Sequence, residues 1–223
     1  MRELSLYEAA KRVTDVVVAA VALVLLSPLL AVIALLIAVI IGRPVLFVQE
    51  RPGLHGRPFR LVKFRSMRQG PGTNSERLTR LGRLLRRCSI DELPGFWNVL
   101  RGDMSLVGPR PLLTEYLELY TPEQVRRHDV MSGMTGWAQV NGRNAISWER
   151  KLALDVWYVD HRSAWIDASI LLLTPWKVLT RVGIHPKGHA TMERFAGTQA
   201  SNVQSPPGLC RPQRALPGAR LRG

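Results

Sequence analysis

From Val16 to Ile41 the chain runs roughly 26 residues without a charge, and only Ser27 and Pro28 interrupt its apolar character. A helix of that length reaches about 39 Å, more than the ~30 Å hydrocarbon core of a bilayer needs. The run is too long for a signal-peptide core and no small-residue cleavage site follows it, so the segment is expected to stay. Lys11 and Arg12 stand before it, and Arg43, Arg51 and Arg57 after it. Cationic flanks on both sides favour the same membrane face for both ends. Proline inside a helix removes a hydrogen bond and bends the axis, and a serine hydroxyl can absorb the strain locally. Two geometries therefore fit: a helix that enters, bends at Ser27-Pro28 and returns, or a single span that tolerates a proline. Asp15 is a costly charge one turn inside, and Lys11 and Arg12, at i−4 and i−3, are its expected partners.

Beyond the apolar run the periodicity shortens. Pro44 to Glu50 reads as a strand, Arg51 to Arg57 as a turn, and Pro58 to Met67 alternates as a second strand, giving a hairpin. Gln69 to Ser75 is a loop. Arg77 to Arg87 is a basic helix with Leu78, Leu81, Leu84 and Leu85 on one face, a pattern for a membrane surface or a core. Leu112 to Tyr120 predicts a short helix. Thr121-Pro122-Glu123-Gln124 starts another, with a capping box and proline at the first position. Met131 to Asn144 is a glycine-rich loop with a short strand in it. Ser147 caps a helix over Trp148 to Asp160, and Trp165 to Val182 is apolar with tryptophans near both ends, as interfacial segments have. From Thr198 onward the chain has no acid, and carries proline and arginine without a period, predicting a disordered basic tail.

The 223 residues suffice for one domain with a core. A net charge of +14 points to an anionic partner: nucleic acid, phosphate-bearing substrate or anionic lipid. Two cysteines without metal spacing, Cys88 and Cys210, favour a reducing compartment, hence a cytosolic face. No P-loop pattern is present, the histidines (His55, His128, His161, His185, His189) lack zinc spacing, and no helix-turn-helix or RNP pattern supports nucleic acid.

Against this basic background the stretch C-S-I-D-E-L-P-G places Asp91 and Glu92 side by side, directly after R-L-G-R-L-L-R-R. Ser89 and Glu92 fit a capping box, but Pro94 sits awkwardly inside the helix it would open. The other reading is chemical. In G-P-R-P two prolines aim Arg110, and N-G-R-N presents Arg143 in a glycine-supported turn; a guanidinium fork matches phosphate oxygens. Singly, both are ordinary loop arginines. Together, a carboxylate nucleophile, a divalent cation and fixed arginines are what phosphoryl transfer through an aspartyl phosphate requires. Glycosidase carboxylates are a poorer fit, because sequence neighbours seldom face each other across the ~5–10 Å such chemistry needs.

Several long motifs then resemble one family. They are K-R-V-T-D (Lys11 to Asp15), Ser27-Pro28, Q-E-R-P-G-L (Gln49 to Leu54), K-F-R-S-M (Lys63 to Met67), S-I-D-E-L-P (Ser89 to Pro94), N-V-L-R-G-D-M-S-L-V-G-P-R-P-L-L (Asn98 to Leu113), G-M-T-G-W-A-Q-V-N-G-R-N (Gly133 to Asn144) and G-H-A-T-M-E-R-F (Gly188 to Phe195). The chain resembles the bacterial sugar transferases, the monotopic polyprenyl-phosphate phosphoglycosyl transferases, and among them the short members of the diacetamidobacillosamine-phosphate transferase type. The resemblance implies a UDP-sugar donor, an undecaprenyl phosphate acceptor and a covalent intermediate on Asp91, with release of UMP. It implies Mg²⁺ and maps its metal and acid/base functions to Asp91 and Glu92. It maps phosphate-binding arginines to Arg86, Arg110 and Arg143, and the same motifs add Lys63, Arg65, Gln139 and Asn141 as substrate contacts. It implies a re-entrant helix bent at Ser27-Pro28, with Lys11 and Asp15 anchoring it at the membrane surface.

The resulting expectation is a mainly α fold with a small β-hairpin or sheet (α+β) and interfacial helices. Residues 1–43 form the membrane helix, 44–197 the catalytic domain and 198–223 the tail. The protein would sit on the cytoplasmic face of a bacterial inner membrane, take an N-acetylated amino sugar or a hexose, bind no nucleic acid, and be open to homodimer formation. Rival readings are a membrane-tethered basic binding module, with Asp91 and Glu92 as mere caps, and a direct ternary reaction with Asp91 only a metal ligand. Met131-Ser132, where relatives often have Arg-Pro, and a shortened Met67 to Leu81 loop bear on the sugar pocket.

Overall fold

A computed structural model of the chain describes residues 2–142, 144–180 and 194–198. Helix α1 (Arg2–Ile40) carries the apolar run. It is long and apolar enough to cross a membrane, and only 11% of its most apolar window is buried, unlike a core helix. The helix continues through Pro28, with the Ser27 hydroxyl donating to the Val24 carbonyl at 2.8 Å. Both ends pack on the same domain. Ala19 joins a core with Val99, Leu106 and Tyr158. Ile33 and Ile37 join a second core with Phe64 and Leu85.

The anchoring of α1 corrects one expected pair. Asp15 is buried and accepts from the Leu106 backbone N–H at 3.0 Å, rather than pairing with Lys11 or Arg12. Lys11 instead meets Asp167 at 2.5 Å, and Arg12 donates to the carbonyls of Val99 and Leu100. The reason is helical phase: partners across the packed interface outcompete neighbours on the same exposed turn, because a buried charge demands satisfaction.

Strands β1 (Leu46–Pro52) and β2 (Pro58–Phe64) form the antiparallel hairpin, in register from Leu46↔Phe64 to Pro52↔Pro58. The basic helix is shorter than the pattern suggested. A turn, α2 (Asn74–Arg77), precedes α3 (Arg80–Arg87), which Thr79 caps by accepting from the Gly82 N–H. A 3₁₀ turn (Ile90–Gly95) leads into α4 (Phe96–Arg101). Next come β3 (Ser105–Val107) and a 3₁₀ turn (Thr114–Leu119) where a short helix was expected. Helix α5 (Pro122–Val125) has the predicted capping box between Thr121 and Gln124. Strand β4 (Gly133–Thr135) pairs in parallel with β3, a pairing the sequence pattern did not predict. Helices α6 (Trp137–Val140), α7 (Trp148–His161) and α8 (Ala164–Thr180) complete the fold, with Ser147 capping α7 as expected. The result is mainly helical with two small two-stranded sheets. Trp165, Leu172 and Trp176 are exposed along α8, the arrangement of an interfacial helix. Phe195 packs with Tyr116 and Trp148. Arg143, His185, His189 and the tail beyond Thr198 lie outside the described residues.

Candidate active site

Helix α3 ends at Cys88, and Ser89 turns the chain with φ 55°, a left-handed conformation uncommon for a residue with a side chain. The Ser89 side chain makes no cap hydrogen bond, which removes the capping-box reading of Ser89 and Glu92. The sharp turn starts the 3₁₀ segment instead, and its tight pitch tolerates Pro94. It presents Asp91 and Glu92 next to β2 and the Gly108–Pro111 turn.

The two carboxylates differ completely in company. Glu92 takes Arg110 as a fork: Nη1 donates to Oε2 at 2.9 Å and Nη2 to Oε1. Lys63 Nζ adds a third donor to Oε1 at 3.2 Å. Burial alone would raise the Glu92 carboxyl, but Arg110 and Lys63 overcome it and hold the group well below the usual carboxylate range. Glu92 in turn strengthens the charge on Arg110, while burial lowers the Lys63 ammonium. Asp91 is buried and, among the described residues, takes no hydrogen bond or ion pair. Burial and then the charge of Glu92 push its carboxyl up, against the pull of Lys63, Arg110 and Arg86. A desolvated, unpartnered carboxylate beside fixed cations is a functional-site candidate.

The Gly108 turn owes its position to close backbone approach. A Cβ on Gly108 would stand 2.3 Å from the Met131 carbonyl oxygen, and one on Gly133 2.1 Å from the Gly108 nitrogen. Only glycine lets the two loops touch and form the β3–β4 pair. Beneath the turn, Arg127 is fully buried and donates to the Arg110 carbonyl at 2.7 Å and to Asp155 Oδ2 at 2.8 Å. It therefore holds the backbone from which the Arg110 side chain projects.

The other expected contacts divide. Gln139 faces the site: both its amide atoms are enclosed without a partner among the described residues, and it lines a cleft of about 80 Å³ with Ser89, Glu92, Arg110 and Lys177. Arg86 stands one turn before Ser89, its Nε donating to Ser66 Oγ at 2.8 Å. Arg65 turns its terminal nitrogens to the protein itself. It is buried and donates to the carbonyls of Ile41, Gly42 and Arg43, satisfying the orphan acceptors at the end of α1 rather than a phosphate. Asn141 is exposed, and its Nδ2 donates to the Trp137 carbonyl at 2.9 Å, closing the end of α6. Sequence reasoning missed Lys177, whose signal was a lone lysine in an apolar helix. It also missed Arg51, whose guanidinium burial and the nearby Arg110 lower to about 10. The role of Arg127 left no signal beyond an ordinary basic run.

Among the described residues no group of three or more His, Cys, Asp or Glu could hold a metal alone. That donor set still suits Mg²⁺, which binds through one or two carboxylates plus substrate phosphates and keeps its waters. Asp91 has the free oxygens for it; Glu92, as placed, has its own engaged by Arg110 and Lys63.

The model of the family described as bacterial sugar transferase matches residues 6–181. The chain is 54% identical over 194 residues to the sugar transferase EpsL of Bacillus subtilis (strain 168), covering 84% of this chain and 96% of that one. It is 43% identical over 186 residues to the UDP-glucose:undecaprenyl-phosphate glucose-1-phosphate transferase of Caulobacter vibrioides, covering 76% and 70%. It is 38% identical over 192 residues to the UDP-N-acetylgalactosamine-undecaprenyl-phosphate N-acetylgalactosaminephosphotransferase of Aeromonas hydrophila, covering 80% of this chain and 45% of that one.

Proposed function

The chain belongs to the bacterial sugar transferase family, and on that premise we propose that it transfers a sugar-1-phosphate from a UDP-sugar to undecaprenyl phosphate. The observation that carries this reading is the buried, unpartnered Asp91 carboxylate beside the Glu92–Arg110–Lys63 cluster. Asp91 attacks the β-phosphorus of the donor; the bridging phosphorus–oxygen bond breaks and UMP leaves. A phosphate oxygen of the lipid then attacks the same phosphorus, and the Asp91–phosphorus bond breaks, restoring the carboxylate. Lys63 and Arg110 offset the charge of the incoming phosphates, so an anionic nucleophile can meet an anionic substrate. Arg143, on the family motif, and Gln139 complete the donor contacts. Mg²⁺, held by Asp91 and Glu92 together with the diphosphate, would neutralise charge on the phosphoryl oxygens. Glu92 would exchange part of its pairing with Arg110 for it.

The membrane reading follows the same logic. Both ends of α1 grip one domain, which supports a helix that dips into the bilayer at Ser27-Pro28 and returns to the cytoplasmic face. For the donor, the short family members resembled by the sequence point to an N-acetylated amino sugar, and the Aeromonas relative is named for one. The Caulobacter relative is named for glucose, which favours a hexose as the second reading.

The test is UMP release by purified protein with Mg²⁺, undecaprenyl phosphate and a panel of UDP-sugars, wild type against Asp91→Asn. Release with one donor, absent from the variant, establishes the reaction and names the sugar. Phosphosugar trapped on Asp91 from UDP-sugar alone supports the covalent route. UMP release that strictly requires the lipid, with no trapped species, would turn the mechanism to the ternary alternative.

A further inference from the structure

A second groove, larger than the Gln139 cleft, is lined by Pro44, Leu46, Phe47, Val48, Arg65 and Arg86 among others. It encloses about 710 Å³. One wall is apolar: Leu46, Phe47 and Val48 of β1 are about half exposed along it. The lining also carries the cationic side chains of Arg77 and Arg86. Each is fixed by one nitrogen only, Arg77 Nε on the Arg68 carbonyl at 3.0 Å and Arg86 Nε on Ser66 Oγ at 2.8 Å. Neither has a carboxylate partner among the described residues, so their terminal amines are left to face an anion.

Position adds a second argument. The apolar wall follows directly on the end of α1, where Val39 and Ile40 are exposed, through Arg43 and Pro44. Arg65 ties that end of α1 to β2. A lipid chain lying against Val39 and Ile40 would reach Phe47 past the exposed Arg43 and Pro44. At the other end, Arg86 is close enough to Asp91 for its charge to act on that carboxyl. The seat of α3 is tightly set: a Cβ on Gly82 would fall 1.8 Å from the Ser66 carbonyl oxygen, so helix and groove floor are in direct contact.

We propose that this groove is the acceptor site, with the first isoprene units of the polyprenyl phosphate against Leu46, Phe47 and Val48 and its phosphate on Arg77 and Arg86. The assignment rests on the transferase reading above. It separates the substrates: the donor occupies the Arg110–Gln139 side of Asp91 and the acceptor the Arg86 side. A bulk anionic phospholipid shares the chemistry of chain and phosphate, but its diester carries one charge, whereas a phosphate monoester can carry two for two guanidinium groups.

The experiment measures apparent KM for undecaprenyl phosphate and for the UDP-sugar in Phe47→Ser, Phe47→Leu and Arg77→Gln, with thermal melting of each. Phe47→Ser and Arg77→Gln are expected to raise the acceptor KM about tenfold, with donor KM within twofold of wild type. Phe47→Leu, which keeps the wall apolar, is expected to restore the acceptor KM. Acceptor KM unchanged in variants that melt like wild type overturns the proposal. So does an unchanged acceptor KM with weaker partition into phosphatidylglycerol vesicles, which gives the groove to bulk lipid. If Phe47→Ser melts lower, Arg77→Gln decides alone. Absence of any transfer by wild type would strike at the transferase reading instead, and is thereby distinguishable.

Discussion

Two buried charge clusters meet at Arg110, one through its carbonyl and the other through its side chain. In the first, Arg127 spends its donors on Asp155, the Arg110 carbonyl and, at 3.5 Å, the Tyr120 hydroxyl. In the second, Glu92 is saturated by Arg110 and Lys63 while Asp91, its neighbour in sequence, has no partner among the described residues. Burial raises both aspartates, but a guanidinium in direct contact opposes it at Asp155 and nothing in contact does so at Asp91. A satisfied network fixes geometry; an unsatisfied group in the same setting stores reactivity. The first cluster thus acts as the mount for the second.

The sharpest way to break this contrast is to neutralise each aspartate's role. Asp91→Asn should lower turnover about 10³-fold or more, as loss of a nucleophile does. It should not lower the melting temperature, because a carboxylate whose pKa is raised on folding destabilises the native state at neutral pH. The sign is explicit: such a group's contribution to folding is full below its unfolded pKa and is lost as pH rises through the folded one. A variant that melts well below wild type would make Asp91 a structural acid. Arg127→Leu should do the reverse of Asp91→Asn, costing about 3–5 kcal/mol by leaving Asp155 buried and unpaired. Urea unfolding measures it, and adding Asp155→Leu should recover most of the loss. Unaltered stability in the single variant would remove the mounting role.

How much of this was legible in the chain depends on range. The hairpin, the cap at Ser147 and the box at Thr121 came from local chemistry, and the structure has all three. Asp91 and Glu92 stood out because two acids followed a basic run, yet their opposite environments depend on residues 18 and 29 positions from Glu92. Arg65 shows the limit most plainly. It lies in a motif otherwise shared with the site, but folding brings the end of α1 to it, and three carbonyls claim its guanidinium. The β3–β4 pair was equally hidden, since it rests on glycines at Gly108 and Gly133 that read locally as loop residues.

A finer test of the contrast is pH. On the proposed covalent route Asp91 must be ionised to attack, and its carboxyl is raised, so turnover should fall on the acid side at a pH above the ordinary aspartate value of about 3.9. Glu92→Gln removes the charge that helps burial raise it and leaves Lys63 and Arg110 uncompensated. The acid limb of the rate profile should therefore move to lower pH, with a loss in maximal rate of about 10–100-fold. A limb that stays in place would show that Asp91 does not sense Glu92.

The smallest expected effect separates two sequence patterns that look alike. Thr121-Pro122-Glu123-Gln124 and Ser89-Ile90-Asp91-Glu92 both fit a capping box, but only the first makes its hydrogen bonds. Thr121→Ala should cost about 1 kcal/mol in urea unfolding and leave turnover within twofold, because only a helix start is lost. At the second, Glu92→Gln keeps a residue that serves equally well in a capping box, as Gln124 does. As a cap it would be silent; as the counter-charge of Arg110 and Lys63 it is not. Equal turnover in Glu92→Gln and wild type, with Thr121→Ala destabilised as stated, would return Asp91 and Glu92 to the helix-start reading.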